Sequence, residues 1–209
     1  KRIHLLGIGG AGMSPLAELM HSQGYIVTGS DRYHSAAALN LEKTGIKVQY
    51  SHIPDLINDA DLVVYSSAVR EDNPERVYAM ERGIRTMRRA EFLGEIMRMY
   101  FTVCISGTHG KTTTTSIVGN ILMTAGLDPT ILVGGMLKEK GSHAVIGKSS
   151  FLIAEADEYD RSFLAMYPTI AVITNIDADH LECYGSYDAI CDAFVEFTRK
   201  VPFYGAVIA

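Results

Sequence analysis

The sequence predicts an α/β protein made of two consecutive parallel-sheet domains, the second of them incomplete. Three observations predict it. Short apolar runs alternate with amphipathic stretches along the 209 residues, the pattern of repeated βα units. Two glycine loops, "GIGGAG" at residues 7–12 and "GTHGKT" at 107–112, each follow a strand pattern and open a helix pattern. The last residues, "GAVIA", read as a buried strand, so the second βα series is expected to be cut off mid-course. The first half is thus expected to be a Rossmann-like sheet domain over residues 1–99, and the second a truncated P-loop ATPase-type α/β domain over 100–209, with the boundary near Met99.

The elements follow in order. "IHLLGI", "YIVTGS", "KVQYS", "DLVVYSSA" and "GIRTM" read as strands of the first series. Helical patterns between them cover Met13 to Ser22, Ala36 to Lys43 and Pro74 to Arg82, with one more over residues 89–99. In the second series "FTVCISG", "TILVGG", "FLIAEA", "IAVITNI" and "GAVIA" are the strands. Its helices run from Lys111 to about Ala125 and from Tyr187 to Lys200.

Bulk properties narrow the function classes. Hydrophobic residues make up 47% and charged residues 21%, ample for a soluble globular core. A net charge of −5, from 19 basic and 24 acidic residues, argues against duplex nucleic acid as a partner, which needs a basic surface. Cys104, Cys183 and Cys191 have no CxxC spacing, which fits a reducing compartment rather than a disulfide framework or zinc site. No apolar run reaches the roughly 18 residues of a membrane helix. No signal peptide is visible, and a cytoplasmic location is the default expectation.

Gly7, Gly9 and Gly12 have G-x-G-x-x-G spacing between a strand and a helix. Such glycines let a diphosphate approach backbone N–H groups at a helix N-terminus; the alternative is a tight turn with no ligand. Asp31 ends the second strand, where an acid is placed to accept hydrogen bonds from a ribose or base. Ser66 and Ser67 either face a ligand at the sheet's carboxyl edge or satisfy a turn, and His52 is either a ligand contact or a solvated loop histidine.

The second loop has the parts a phosphate loop needs. Backbone N–H groups cradle phosphate oxygens, Lys111 neutralises charge, and the Thr112 hydroxyl stands where a Mg2+ ligand belongs. Threonines 112 to 115 are poor helix-interior residues, so their run at a helix start calls for another reason. Glu155 ends a later strand, where a Mg2+-directing carboxylate sits opposite a phosphate loop, and Asp157, Glu158 and Asp160 add charge or form a solvated face. The next strand delivers Asn175, then Asp177, Asp179 and His180; the histidine is either a second metal ligand or holds a carboxylate.

The motifs "GIGGAGMS", "GSD", "SSAV" with "NPE", "GTHGKTTT", "EADE", "TNIDADH" and "VPFYG" occur in this order over the whole chain, and together they resemble the Mur ligase family. The shortened loop G-T-x-G-K-T is itself that family's form. The resemblance implies a cell-wall ligase of peptidoglycan precursor synthesis that uses ATP and Mg2+ to join L-alanine to the lactyl carboxylate of UDP-N-acetylmuramate through an acyl phosphate. It places Gly9, Gly10, Ala11, Gly12, Met13 and Ser14 at the diphosphate and Asp31, His52, Ser66 and Ser67 around the UDP-sugar. It assigns Thr108, His109, Gly110, Lys111, Thr112, Thr113 and Asn175 to ATP, Thr112, Glu155 and His180 to Mg2+, and Lys111, Glu155 and His180 to catalysis. It further implies a monomer or homodimer, and a third, amino-acid-binding domain that this chain lacks, so that the chain alone is expected to be inactive.

There are departures. Tyr159 stands where serine is common in the alanine-adding member, and tyrosine is typical of a relative that attaches a recycled murein tripeptide. Ser51 precedes His52 where glycine is usual. Around Val195 there is no lysine of the kind that some relatives carry carbamylated near the second metal, and none is expected. The readings that compete with the ligase are the recycling relative, a non-catalytic nucleotide-sugar binding module, and a nicotinamide dehydrogenase that uses the first loop alone.

Overall fold

A computed structural model describes residues 1–137 and 142–209. The chain divides into two compact units, one comprising Lys1–Phe92 together with Met136, Leu137, Ser142 and His143, and the other Leu93–Gly135 with Ala144–Ala209.

In the first unit, β1 (Arg2–Leu6), β2 (Ile26–Ser30), β3 (Lys47–Gln49), β4 (Leu62–Tyr65) and β5 (Arg85–Arg88) form a sheet in the order β3-β2-β1-β4-β5, with every pairing parallel. The strands are connected by α1 (Ser14–Ser22), α2 (Ala36–Lys43) and α3 (Pro74–Glu81), with a short 3-10 turn at Pro54–Leu56. Strand order reverses at β1, so the carboxyl ends of β1 and β4 flank the crevice where open α/β sheets take ligands.

Local sequence explains the helices. Ser35 caps α2 by accepting from Ala38 N, and Asn73 caps α3 by accepting from Glu75 N and Arg76 N, with Pro74 preset for the first turn. On α1, Leu16, Ala17, Leu19 and Met20 are buried, a stripe at helical spacing that seats the helix on the sheet. Leu6, Ile57, Val63 and Ala79 form a core cluster, with Tyr65, Val69, Tyr78 and Ile84 packed against it.

α4 (Arg89–Met97) follows, and the division between the units falls within it. The second sheet's strands are β6 (Phe101–Ser106), β7 (Thr130–Leu137), β8 (Ser142–Val145), β9 (Phe151–Glu155), β10 (Ile170–Ile173) and β11 (Ala206–Ile208), in the order β11-β10-β6-β9-β7-β8. Pairings from β11 through β10, β6 and β9 to β7 are parallel. The helices are α5 (Lys111–Thr124), the single turn α6 (Leu181–Tyr184) and α7 (Tyr187–Thr198), with a kinked 3-10 segment at Tyr159–Ala165. Phe163 stacks on Phe197 at 5.0 Å and meets Phe194 edge-on at 5.2 Å, which anchors α7 to that segment.

β8, α6 and the 3-10 segment have no counterpart in the sequence reading; each is too short to establish a period of its own. Among the described residues no helix is long and apolar enough to cross a membrane. Burial in β6 pushes the Cys104 thiol well above its ordinary pKa, so it behaves as a small core residue.

Candidate functional site

The first unit holds a cavity of about 660 Å³ at the carboxyl ends of β1, β2 and β4. Of the sequence-derived candidates, Gly9, Gly10, Asp31, His52 and Ser66 line it, together with Gly7. Ala11, Gly12, Met13, Ser14 and Ser67 are not on its wall. Met13 and Ser14 are buried at the start of α1, Gly12 faces the Arg89 side chain, and Ala11 and Ser67 are exposed. Arg32, Tyr33, Ser35, Arg70 and Asp72 also line it and were not singled out from the sequence, and Ala68, Val69, Asn73 and Pro74 complete the wall.

Asp31 is turned onto the loop itself. Its Oδ2 accepts from Gly9 N at 2.8 Å and its Oδ1 from Tyr33 N at 3.1 Å. A Cβ at Gly9 would lie 2.5 Å from Ser35 Oγ and 2.9 Å from Asp31 Oδ2, so only glycine lets the loop come this close to the end of β2.

Behind the cavity is a buried polar cluster. The in-register neighbours His4 and Thr28, and Ser30 and Gln49, place polar side chains on three adjacent strands. Glu75, in the first turn of α3, lies fully buried among them. Its Oε1 accepts from His4 Nε2 at 3.2 Å and Gln49 Nε2 at 2.7 Å; its Oε2 accepts from Ser30 Oγ at 2.6 Å and His52 Nδ1 at 2.7 Å. Burial pushes the carboxyl pKa up, but the hydrogen bonds from His4, Ser30 and His52 outweigh it and hold the group below its ordinary value. Polar residues at inward positions of otherwise apolar strands were the available signal for such a hub.

In the second unit the loop between β6 and α5 is fixed by β10. Gly107 has φ +130°, and a Cβ there would meet Thr174 Oγ1 at 2.2 Å; Gly110, the residue before α5, is left-handed at φ +85°. Asn175 Oδ1 accepts from His109 N at 2.9 Å, its Nδ2 donates to His109 O at 3.0 Å, and its backbone oxygen accepts from Thr108 N at 3.1 Å. Thr108 Oγ1 accepts from Asp177 N at 2.9 Å. Asn175 therefore braces the loop with its own amide.

Lys111 folds back over the loop. Its Nζ donates to Gly107 O at 2.7 Å and to Glu158 Oε2 at 2.9 Å and Oε1 at 3.2 Å, with Asp157 Oδ1 3.9 Å away. Glu158, one acid of the run that reads as a solvated face, is buried. Two consecutive left-handed residues, Asp160 and Arg161, follow it, and Tyr184 Oη donates to its backbone oxygen at 2.5 Å. Burial pushes the Tyr184 phenol up to about 12, so it remains a donor. His180, left-handed at φ +56°, brings Nε2 to 3.9 Å from Glu158 Oε1 and packs edge-on against Tyr159 at 5.2 Å. Thr112 and Thr113 are exposed on the first turn of α5, and Glu155 ends β9 in register with Ile105 of β6.

The donor set fits magnesium. Thr112 and Glu155 offer a hydroxyl and a carboxylate, the hard oxygen donors that ion prefers. Among the described residues no group of three or more His, Cys, Asp and Glu side chains forms a closed metal cage. Mg2+ held by one or two carboxylates plus phosphate oxygens and water needs none.

Two α/β units that each set a glycine loop between a parallel strand and a helix, one of them with a lysine and threonines at the helix start, define a protein of the phosphate-loop α/β class. The chain belongs to the Mur ligase family: the profile of the family's catalytic domain matches residues 2–101, and that of its middle domain matches residues 105–209. It is 52% identical over 208 residues to a UDP-N-acetylmuramate–L-alanine ligase of Geotalea daltonii, covering 100% of this chain and 45% of the relative. A ligase of the same name from Persephonella marina is 49% identical over 207 residues, covering 99% of this chain and 45% of the relative. The chain thus spans less than half the length of these curated relatives.

Among solved structures, the UDP-N-acetylmuramate–alanine ligase of Thermotoga maritima superposes with a TM-score of 0.87 at 33% identity, over 99% of this chain and 48% of that one. The UDP-N-acetylmuramate:L-alanyl-γ-D-glutamyl-meso-diaminopimelate ligase of Neisseria meningitides superposes at 0.88 with 29% identity, over 99% and 70%.

Proposed function

We propose that this chain is the UDP-sugar-binding and ATP-binding part of a ligase that joins L-alanine to the lactyl carboxylate of UDP-N-acetylmuramate, with release of ADP and phosphate. The observation that carries this reading is the meeting of Lys111, Glu158 and His180 beside a braced glycine loop. The names of the relatives at 49–52% identity supply the amino acid, and they favour the alanine-adding reading over tripeptide recycling.

In this reading the cavity of the first unit takes the UDP-sugar and the loop Thr108–Thr112 takes ATP, each unit forming its own domain. The lactyl carboxylate attacks the γ-phosphorus, the bond to the ADP oxygen breaks, and an acyl phosphate forms. The alanine amine then attacks the acyl carbon, the tetrahedral intermediate expels phosphate, and the amine proton leaves to solvent. Lys111 turns from Glu158 to the γ-phosphate and offsets the charge crowding between phosphate and carboxylate oxygens. Loop N–H groups orient the phosphates, so catalysis rests on position and charge, and no side-chain nucleophile is required. Mg2+, held by Thr112 and Glu155 with His180 toward a second ion, would supply further charge neutralisation.

Isothermal titration of the chain with UDP-N-acetylmuramate and with MgATP, beside L-alanine-dependent ADP release by the full-length protein, tests the reading. Binding of both ligands and turnover that requires all three substrates is the expected result. Binding without turnover in the full-length protein would identify a nucleotide-sugar module instead.

A further inference from the structure

Glu75 lies outside the cavity wall, yet it holds a residue on that wall. His52 lines the cavity with its side chain 22% exposed, while Glu75 is fully buried beside it. The contact between them, His52 Nδ1 to Glu75 Oε2, is 2.7 Å long.

The other contacts of Glu75 fix what that hydrogen bond is. Ser30 Oγ and Gln49 Nε2 approach at 2.6 and 2.7 Å, and the Gln49 amide nitrogen also donates to Ile53 O at 2.5 Å, which makes it the donor toward Glu75. The carboxyl sits in the first turn of α3, where a negative charge is favoured, and its pKa is held down. An ionised carboxylate only accepts. The proton on the 2.7 Å contact therefore belongs to His52 Nδ1. In the neutral ring Nε2 is then the bare nitrogen, left to the cavity as an acceptor.

We propose that Glu75 is a positioning and specificity residue of the nucleotide cavity: it locks His52 in the Nδ1–H tautomer, so that Nε2 accepts a hydrogen bond from a donor on the bound uridine nucleotide. This rests on the UDP-sugar reading of the cavity. The ligand group selected is the ribose 2′-hydroxyl or the imide N3–H of uracil, both neutral donors of such a nucleotide. Without the lock, His52 is free to adopt the Nε2–H tautomer, which turns an acceptor into a donor and sets two donors against each other.

The experiment compares the chain with Glu75→Gln, using three probes: UDP, 2′-deoxy-UDP and N3-methyl-UDP. In the unaltered chain one of the two analogues is expected to bind about tenfold or more weaker than UDP, because its loss leaves Nε2 unpaired. In Glu75→Gln that discrimination falls to within about twofold, while affinity for the analogue itself changes little. Equal discrimination in both proteins, or none in the unaltered chain, overturns the proposal. Failure of the unaltered chain to bind UDP at all would instead overturn the UDP-sugar reading of the cavity.

A second measurement does not depend on the variant folding. Nitrogen-15 spectra of the unaltered chain report the His52 tautomer directly. A protonated-type Nδ1 and a bare-type Nε2 at a pH where the ring is neutral are expected; the reverse pattern overturns the proposal. A purely structural Glu75 would leave the analogue ratio unmoved in Glu75→Gln.

Discussion

The side-chain amide of Asn175 grips the peptide of His109 from both sides, accepting from its N–H at 2.9 Å and donating to its C=O at 3.0 Å. A side chain two residues past β10 thereby sets the shape of a loop that follows β6. Asn175→Ala removes both bonds where the loop must hold its N–H groups in a fixed array. A loss of about 1–2 kcal/mol, or roughly tenfold in MgATP affinity, is expected, with the fold retained. Titration calorimetry on the chain and its variant measures it; unchanged affinity would mean that the brace is dispensable.

Lys111→Ala should abolish ATP use by the full-length protein and leave UDP-sugar affinity within about twofold, because Lys111 and the cavity belong to different units. ADP release and UDP-N-acetylmuramate titration, run on one preparation, separate the two effects. Parallel loss of both would contradict the assignment of the two ligands to two sites.

Glu158 holds the Lys111 ammonium where a phosphate would compete for it. Glu158→Gln removes the competing charge but keeps a hydrogen-bonding side chain. MgATP is expected to bind up to about tenfold tighter to the variant, since one unit of negative charge leaves the neighbourhood of the phosphates. Weaker binding would show that the carboxylate supports the bound state rather than opposing it.

Glu75 gives the fold an acid limit. Its pKa is lower in the folded chain than the ordinary value of 4.5, so the unfolded chain binds the proton more readily. The stabilisation is complete above that value and is lost as pH falls through the folded-state pKa. At neutral pH Glu75→Gln should cost about 3 kcal/mol, because an amide N–H₂ then faces donors in a buried site. Urea melts of both proteins between pH 7 and pH 3 should converge toward the acid end; a constant gap would rule out a titrating Glu75.

Much of the fold was legible because its units are periodic. The helix expected from Ala36 to Lys43 has those bounds, and the one expected over Lys111 to Ala125 ends one residue earlier. The glycine loops were legible because glycine at a strand–helix junction has few other uses. Glu75 and Glu158 were not. A glutamate in a helix's first turn reads as a charge placed for the helix dipole, and Glu158 sits in an acidic run that reads as solvated. Their burial depends on residues far away in the chain: His4, Ser30 and Gln49 for Glu75, Lys111 and Tyr184 for Glu158. Asn175 was legible as a residue of the loop region, but its bracing role depends on a β10–β6 pairing that no local pattern encodes.

The left-handed pair Asp160 and Arg161 has a consequence for how this surface tolerates change. Each non-glycine residue in that conformation is disfavoured by about 1–2 kcal/mol, so the fold and the local chain preference disagree at two adjacent exposed positions. Selection for stability alone would replace both with glycine or asparagine and exclude valine, isoleucine and threonine. A saturation library sorted by thermal resistance would mark these two sites as improvable, and one sorted by ligase activity would show whether the tension is kept for the sake of the glutamate beside it.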